Sequence, residues 1–269
     1  MSQSNSDFSF IVIADHHLRE SEALLNRGYS TAHAFRAVMR HIAEHAASRA
    51  DFIVTLGDLV DAGTDAEYQH VRGMLGIREV SAAPGPQRVN LEGLRELPMY
   101  FLPGNHDRRA QFLANMFPLG EPCELMNVAF THGGVQFLCL DWGAQNQAIA
   151  YPETLEFLAR ALHSGAPSVL LTHHHVARVG VGWLDAFLAD DVEKFWETIA
   201  GRNVLGIFCG HIHATYEKRI SDIPVFGTRA TCFQFALQED KLFCLQPPHY
   251  RVVTLRDGKL TTAIYEVNL

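Results

Sequence analysis

The feature that most constrains this chain is a repeated pairing of a short apolar run with a polar, ligand-rich turn. Phe10–Ala14 runs into Asp15-His16-His17, and Phe52–Leu56 into Gly57-Asp58-Leu59-Val60-Asp61. Met99–Leu102 leads through Pro103 into Gly104-Asn105-His106-Asp107. Val169–Thr172 ends in His173-His174-His175, and Val204–Cys209 in Gly210-His211-Ile212-His213. Each run, like Val135–Leu140, is apolar on both faces, as a strand buried between layers must be.

Helical patterns lie between the runs. Ser30 to Ser48 places Phe35, Val38, Met39 and Ile42 on one face. Thr64-Asp65-Ala66-Glu67 is a capping box, in which hydroxyl and carboxylate satisfy the first free amides of a helix. Pro152 starts another helix that Gly165 ends, and Gly201 stops one over Asp190 to Ala200. Strands alternating with helices make an α/β protein. Beyond Ile220 the chain turns to strand-like pieces, among them a hairpin of Arg251–Arg256, Asp257-Gly258 and Lys259–Glu266. No Gly, Ser or Pro linker divides the two parts, so one domain over 1–269 is expected, with a β-rich part at 221–269. Gly73 to Gly93, which contains Ser81-Ala82-Ala83-Pro84-Gly85-Pro86, reads as an exposed loop or lid.

Composition narrows the partners. The formal net charge is −8, and no run of Lys and Arg offers a nucleic-acid footprint, so DNA and RNA are disfavoured. The five cysteines, Cys123, Cys139, Cys209, Cys232 and Cys244, never form a C-x-x-C pair, which argues against disulfides and against a thiolate zinc site. Met1 to Asp7 lacks the basic and apolar regions of a signal peptide, and no apolar run approaches the ~18 residues of a membrane span. A cytoplasmic protein is the expectation.

In an open α/β sheet the loops beyond the carboxyl ends of the strands form the binding crevice. Five ligand-bearing loops at such ends therefore converge. Carboxylates, imidazoles and an amide without thiolates suit borderline ions such as zinc, manganese and iron. Asp15 and His17 are two apart, as are His211 and His213, so each pair faces one side of an extended segment. That spacing turns His16 away. One ion would be filled by four protein ligands, and more are on offer, so two ions sharing a carboxylate fit better.

Asp15-x-His17, Gly57-Asp58-x-x-Asp61, Gly104-Asn-His-Asp107, His173 and Gly210-His-x-His213 look like the ordered motif set of the calcineurin-like metallophosphoesterases. Within it the chain most resembles the class III cyclic-nucleotide phosphodiesterase group, which includes glycerophosphodiesterases. The match runs from about Phe8 to about Phe235 and takes in Glu67-Tyr68-Gln69 and Gly227-Thr228. The resemblance implies a four-layer α/β/β/α sandwich with two mixed β-sheets and a dimetal site at the strand C-terminal edge. Asp15, His17, Asp58 and His213 would hold one manganese, iron or zinc ion. Asp58, Asn105, His173 and His211 would hold the second, with Asp58 bridging. His106 would face the substrate phosphate and Asp107 would orient His106 by a hydrogen bond, while Asp61 would be structural.

The activity so implied is hydrolysis of a small phosphate diester, a cyclic nucleotide or a glycerophosphodiester, by a metal-bridged hydroxide. A homodimer is implied on the same ground. A phosphomonoesterase, or a hydrolase of phospholipid headgroups or phosphonate esters, would use the same site. A non-catalytic scaffold on this fold usually loses the ligands, and here all are present. One departure is the missing proline in His175-Val176-Ala177, which would free His174 or His175 to face the substrate. Trp183 reads equally as cleft wall or core anchor. Specificity is expected in Leu18–Tyr29, Gly73–Gly93 and Val176–Asp185.

Overall fold

Alternate residues of the first strand point into two different cores, and that sets the layering. In the computed structural model, which describes residues 7–78, 84–117, 123–244 and 246–269, β1 (Phe8–Ile13) is buried on both faces. Phe10, Val12 and then Ala14 face one way, Ile11 and Ile13 the other.

The first sheet carries β1, β2 (Phe52–Thr55), β3 (Gln87–Leu91), β4 (Arg95–Phe101), β13 (His249–Arg256) and β14 (Lys259–Glu266), in the order β14-β13-β1-β2-β4-β3. The second carries β5 (Val128–His132), β6 (Val135–Leu140), β7 (Ser168–Thr172), β8 (Val204–Cys209), β9 (Tyr216–Ile220) and β10 (Ile223–Gly227), in the order β5-β6-β7-β8-β10-β9. Both are parallel at the centre and antiparallel at the edges. A short ribbon of β11 (Gln234–Phe235) and β12 (Phe243–Cys244) stands apart.

Three apolar clusters fill the spaces between layers. Helices α1 (Thr31–His45), α2 (Asp65–Met74) and α3 (Arg109–Met116) cover the outer face of the first sheet through Phe35, Val38, Val71 and Phe112. Helices α4 (Pro152–Leu162), α5 (Gly182–Asp185) and α6 (Val192–Ile199) cover the second through Leu158, Leu184 and Phe195. Between the sheets lie Phe10, Phe52, Phe137 and Phe208, with Phe10 stacked on Phe52 at 5.2 Å between ring centroids. Each such fully buried side chain contributes about 1.5–3 kcal/mol relative to exposure. The result is the four-layer α/β/β/α sandwich.

The local signals agree with this. Ser30 caps α1, the Thr64–Glu67 capping box is formed, and Pro152 occupies the first turn of α4. The C-terminal hairpin turns at Asp257 and Gly258, both at positive φ, and its first strand joins β1 rather than forming a separate layer. The expectation of a loop or lid over Gly73–Gly93 requires correction. Gln87–Leu91 is the edge strand β3, paired antiparallel with β4 and buried on its inner face at Val89 and Leu91. Val89 and Leu91 alternate with polar Arg88 and Asn90, a half-buried pattern masked by the neighbouring prolines. Ser81 to Ala83 lie outside the described residues, as do Met1 to Ser6 of the polar N-terminus.

Candidate metal centre

The carboxyl ends of β1, β2 and β4 in one sheet and of β7 and β8 in the other meet at a single edge. They bring Asp15, His17, Asp58, Asn105, His173, His211 and His213 together, with His106 at the rim. The backbone there is unusual. Asp15, His17, Asp58, His211 and His213 all have positive φ, between 45° and 68°. For a residue with a Cβ this costs roughly 1–2 kcal/mol, and such strain concentrates at functional sites. Glycine makes the crowding feasible. A Cβ on Gly104 would sit 2.2 Å from Asp58 Oδ1, and one on Gly210 would sit 2.7 Å from Asp15 Oδ2.

The tautomers follow from the outer hydrogen bonds. His213 Nδ1 donates to the Phe233 carbonyl at 2.7 Å, and His173 Nδ1 donates to the Leu56 carbonyl at 2.8 Å. Each therefore turns its Nε2 to the interior. His17 Nε2 lies 3.1 Å from His213 Nε2 and 3.4 Å from Asp58 Oδ2. His173 Nε2 lies 3.4 Å from the same Asp58 Oδ2, 2.9 Å from Asn105 Oδ1 and 3.2 Å from His211 Nδ1. Asn105 Nδ2 donates outward to Asn146 Oδ1, which turns its own oxygen inward. Potential ligand atoms thus meet at two adjacent points that share Asp58 Oδ2.

Burial, reinforced by the Asp58 carboxylate, pushes Asp15 up to about 8. Burial opposes charge on His173 too, but Asp58 and Asp15 outweigh it and raise His173 to about 9. His211 and His213 are held well below the ordinary histidine range, by burial first and neighbouring imidazoles next. Imidazoles, an amide oxygen and carboxylates converging on two adjacent points are a donor set for borderline divalent ions, which would take the place of the protons on His173 and Asp15. The residues present fit two such ions.

The residues around the cluster divide clearly. His106 does not bond Asp107, contrary to the sequence expectation. Its Nδ1 donates to the Asp61 carbonyl at 2.6 Å, which leaves Nε2 free in the cleft. Burial opposes protonation of His106, but Asp58 and Asp61 outweigh it and raise its pKa above the ordinary value. Asp107 is buried and accepts from Leu59 N, Gly104 N and the Tyr68 hydroxyl. It ties the turn after β2 to the turn after β4, because its carboxylate accepts an amide from each. Asp61 holds Arg19 at 2.8 Å and Asn26 at 2.7 Å, and its Oδ1 lies 3.5 Å from His17 Nδ1.

His16 faces away, between the hydroxyls of Thr55 and Thr231, and burial lowers it to about 3. His174 and His175 are buried away from the cleft, beside Trp142 and Val192 behind it. His174 Nε2 donates to the Gln145 carbonyl at 3.0 Å. Trp183 is half-buried; its indole N–H donates to the Gln238 carbonyl and its ring packs edge-on to Phe235.

Sequence reasoning missed the walls. The cleft above the cluster is lined by Phe187, Phe233, Phe235 and Asn146, with Arg27 and Lys241 at its mouth. Phe233 packs against both His17 and His213, at 5.6 and 5.0 Å between ring centroids. Phe233-x-Phe235, two apolar rings at strand spacing after Gly227-Thr228, was the available signal. The described residues of Gly73–Gly93 contribute nothing to that lining.

Comparison with known proteins decides the family. Calcineurin-like phosphoesterase matches residues 8–215. The chain belongs to that family. It is 27% identical to a 3',5'-cyclic-nucleotide phosphodiesterase of Nostoc, over 96% of this chain and 92% of the relative. It is 29% identical to the 3',5'-cyclic adenosine monophosphate phosphodiesterase CpdA of Escherichia coli K12, over 95% of this chain and 88% of that one. Among solved structures, a dimetal phosphatase from Danio rerio superposes with a TM-score of 0.65 at 14% identity, covering 96% of this chain and 99% of that chain. That likeness is one of fold. Among the described residues no helix of this phosphoesterase is long and apolar enough to cross a membrane.

Proposed function

We propose that the protein hydrolyses 3',5'-cyclic nucleotides at a two-metal centre. The observation that carries the reading is Asp58 Oδ2 lying 3.4 Å from both His17 Nε2 and His173 Nε2, between two groups of potential ligand atoms. Asp15, His17, Asp58 and His213 would hold one ion, and Asp58, Asn105, His173 and His211 the other. Two ions bound there supply an activated water and neutralise charge on the phosphoryl oxygens.

The chain's own residues do the rest. His106, pinned through Nδ1 with Nε2 toward the cleft, has its protonated form favoured by the Asp58 and Asp61 carboxylates against burial, and that form is the acid. It donates a hydrogen bond to the phosphoryl oxygens as charge develops, and then a proton to the departing alkoxide. Phe187, Phe233 and Phe235 exclude water and offer flat apolar surface to a nucleobase, and Asn146 adds an amide for its polar edge. The relatives named as cyclic-nucleotide phosphodiesterases support the substrate class.

The test is parallel turnover of 3',5'-cyclic AMP, glycerophosphoethanolamine and 4-nitrophenyl phosphate by the manganese-loaded protein. Cyclic AMP is expected to lead in kcat/KM by at least about tenfold, ~1.4 kcal/mol of transition-state preference. A lead by the glycerophosphodiester or the monoester would overturn the substrate assignment.

A further inference from the structure

Two cations, Arg27 and Lys241, stand at the mouth of the cleft. Arg27 and Lys241 come from distant parts of the chain and flank the aromatic wall. The Arg27 guanidinium lies 5.5 Å from the centre of the Phe233 ring and 5.8 Å from that of Phe243. Lys241 Nζ lies 5.4 Å from the Trp183 ring and 6.0 Å from Phe235. Among the described residues neither cation makes an ion pair or hydrogen bond, although the chain carries a net charge of −8 and Arg19, Arg36, Arg109 and Arg251 are all paired with carboxylates. The aromatic faces hold both heads in place while leaving their donors free.

The backbone at Arg27 is an independent sign. Asn26 and Tyr29 exchange backbone hydrogen bonds at 2.9 and 2.8 Å around Arg27-Gly28, both at positive φ, +52° and +84°. That is the tight turn whose first position favours Asn or Gly. Arginine is strained there and adds nothing to the turn. The turn itself is fixed to the centre, because Asn26 is buried and donates to Asp61 Oδ1, beside His17 and His106. On the opposite side, the β11–β12 ribbon that carries Lys241 is fastened to α5 by Gly182 N and Trp183 Nε1, donating to Glu239 and the Gln238 carbonyl.

We infer that Arg27 and Lys241 are a two-cation capture device for the anionic diester. They draw the substrate phosphate into the cleft of an otherwise acidic protein and set KM and its salt dependence, leaving the chemical step to the metal centre and His106. Rim charges act on encounter and are screened by salt, whereas groups at the reacting atoms act on turnover. This inference rests on the phosphodiesterase reading above.

The experiment compares wild type with Arg27→Asn, Lys241→Ala and the double variant on cyclic AMP and on bis(4-nitrophenyl) phosphate. Each single variant is expected to raise KM about threefold and the double variant about tenfold, with kcat within about twofold. The wild-type kcat/KM should fall steeply as NaCl rises, and the double variant's should be nearly flat. Arg27→Asn should also raise the unfolding midpoint by about 2 °C by relieving the turn, which separates lost capture from a damaged fold. Lys241→Arg should keep the wild-type KM. An unchanged KM and salt slope in the double variant would overturn the inference. If wild type cleaves only the nitrophenyl diester, the cyclic-nucleotide reading fails and the capture device is judged on that substrate. If it cleaves neither, titration with inorganic phosphate decides: equal affinity in wild type and double variant overturns the device, and weaker affinity in the double variant upholds it.

Discussion

Asn105 shows how much one side chain can settle. Its nitrogen donates to Asn146, so its oxygen faces His173 and His211, where it stands ready as a ligand oxygen beside two ring nitrogens. Asn105→Ala is expected to lower bound manganese from two ions per chain towards one and to remove most turnover. Metal analysis of the folded variant checks this, and full occupancy with normal turnover would refute the two-ion assignment. His106 is separable from the ions because its bond is to a backbone carbonyl. His106→Ala should keep both ions and the wild-type unfolding midpoint while kcat falls about 10²–10⁴-fold. Loss of metal in that variant would make His106 a ligand instead.

At the scale of the elements, the turns after β2 and β4 act as one unit. Gly57 would place a Cβ 2.5 Å from Gly104 N, and Gly104 would place one against Asp58, so the two turns touch backbone to backbone. Asp107 bonds amides in both turns, and the buried Arg109–Asp141 pair links the second turn to the end of β6. Arg109 also donates to the Gly104 and Asp107 carbonyls. Breaking such a pair leaves an uncompensated buried charge, at a cost of about 3–5 kcal/mol. Asp141→Asn should therefore lower denaturant stability by that amount and reduce kcat as well, since Asn105 and His106 ride on the same turn. A variant with normal stability would show that the arginine is held elsewhere.

The whole molecule should lose stability in acid through histidines that burial keeps neutral. His249 is buried, accepts the Arg229 N–H at 2.8 Å, and is pushed down to about 2 by burial, then by Arg251 and Arg229. Its folded pKa lies below the unfolded 6.5, so the unfolded chain takes up a proton that the native state refuses. The stabilisation is present above about pH 6.5 and is lost as pH falls toward 2. Between pH 6.5 and 5 it amounts to about 2 kcal/mol. Urea unfolding across that range should show this slope, flattened in His249→Asn; equal slopes would refute the assignment. Metal acts in the opposite sense. Ions that bind only the native cluster should raise the unfolding midpoint by roughly 10 °C at a thousandfold excess over Kd, and chelator should reverse the shift.

What the sequence determined is what local chemistry encodes. Apolar runs bounded by turns give the central strands, because a strand buried on both faces has no other composition open to it. The capping box and Pro152 place helix starts, because free amides need partners. Asp15, His17, Asp58, Asn105, His173, His211 and His213 could be read as one set because each follows a strand, and strand ends in such sheets converge. Only the tertiary structure decided what depends on contacts between distant segments. The pairing of β13 with β1 and of β3 with β4, the carbonyl that holds His106, the amides that claim Asp107, and the ring and cation wall from Arg27 to Lys241 are all of that kind. A hydrogen bond to a backbone group leaves no residue type behind to be read, and a cleft wall is assembled by packing rather than by spacing along the chain.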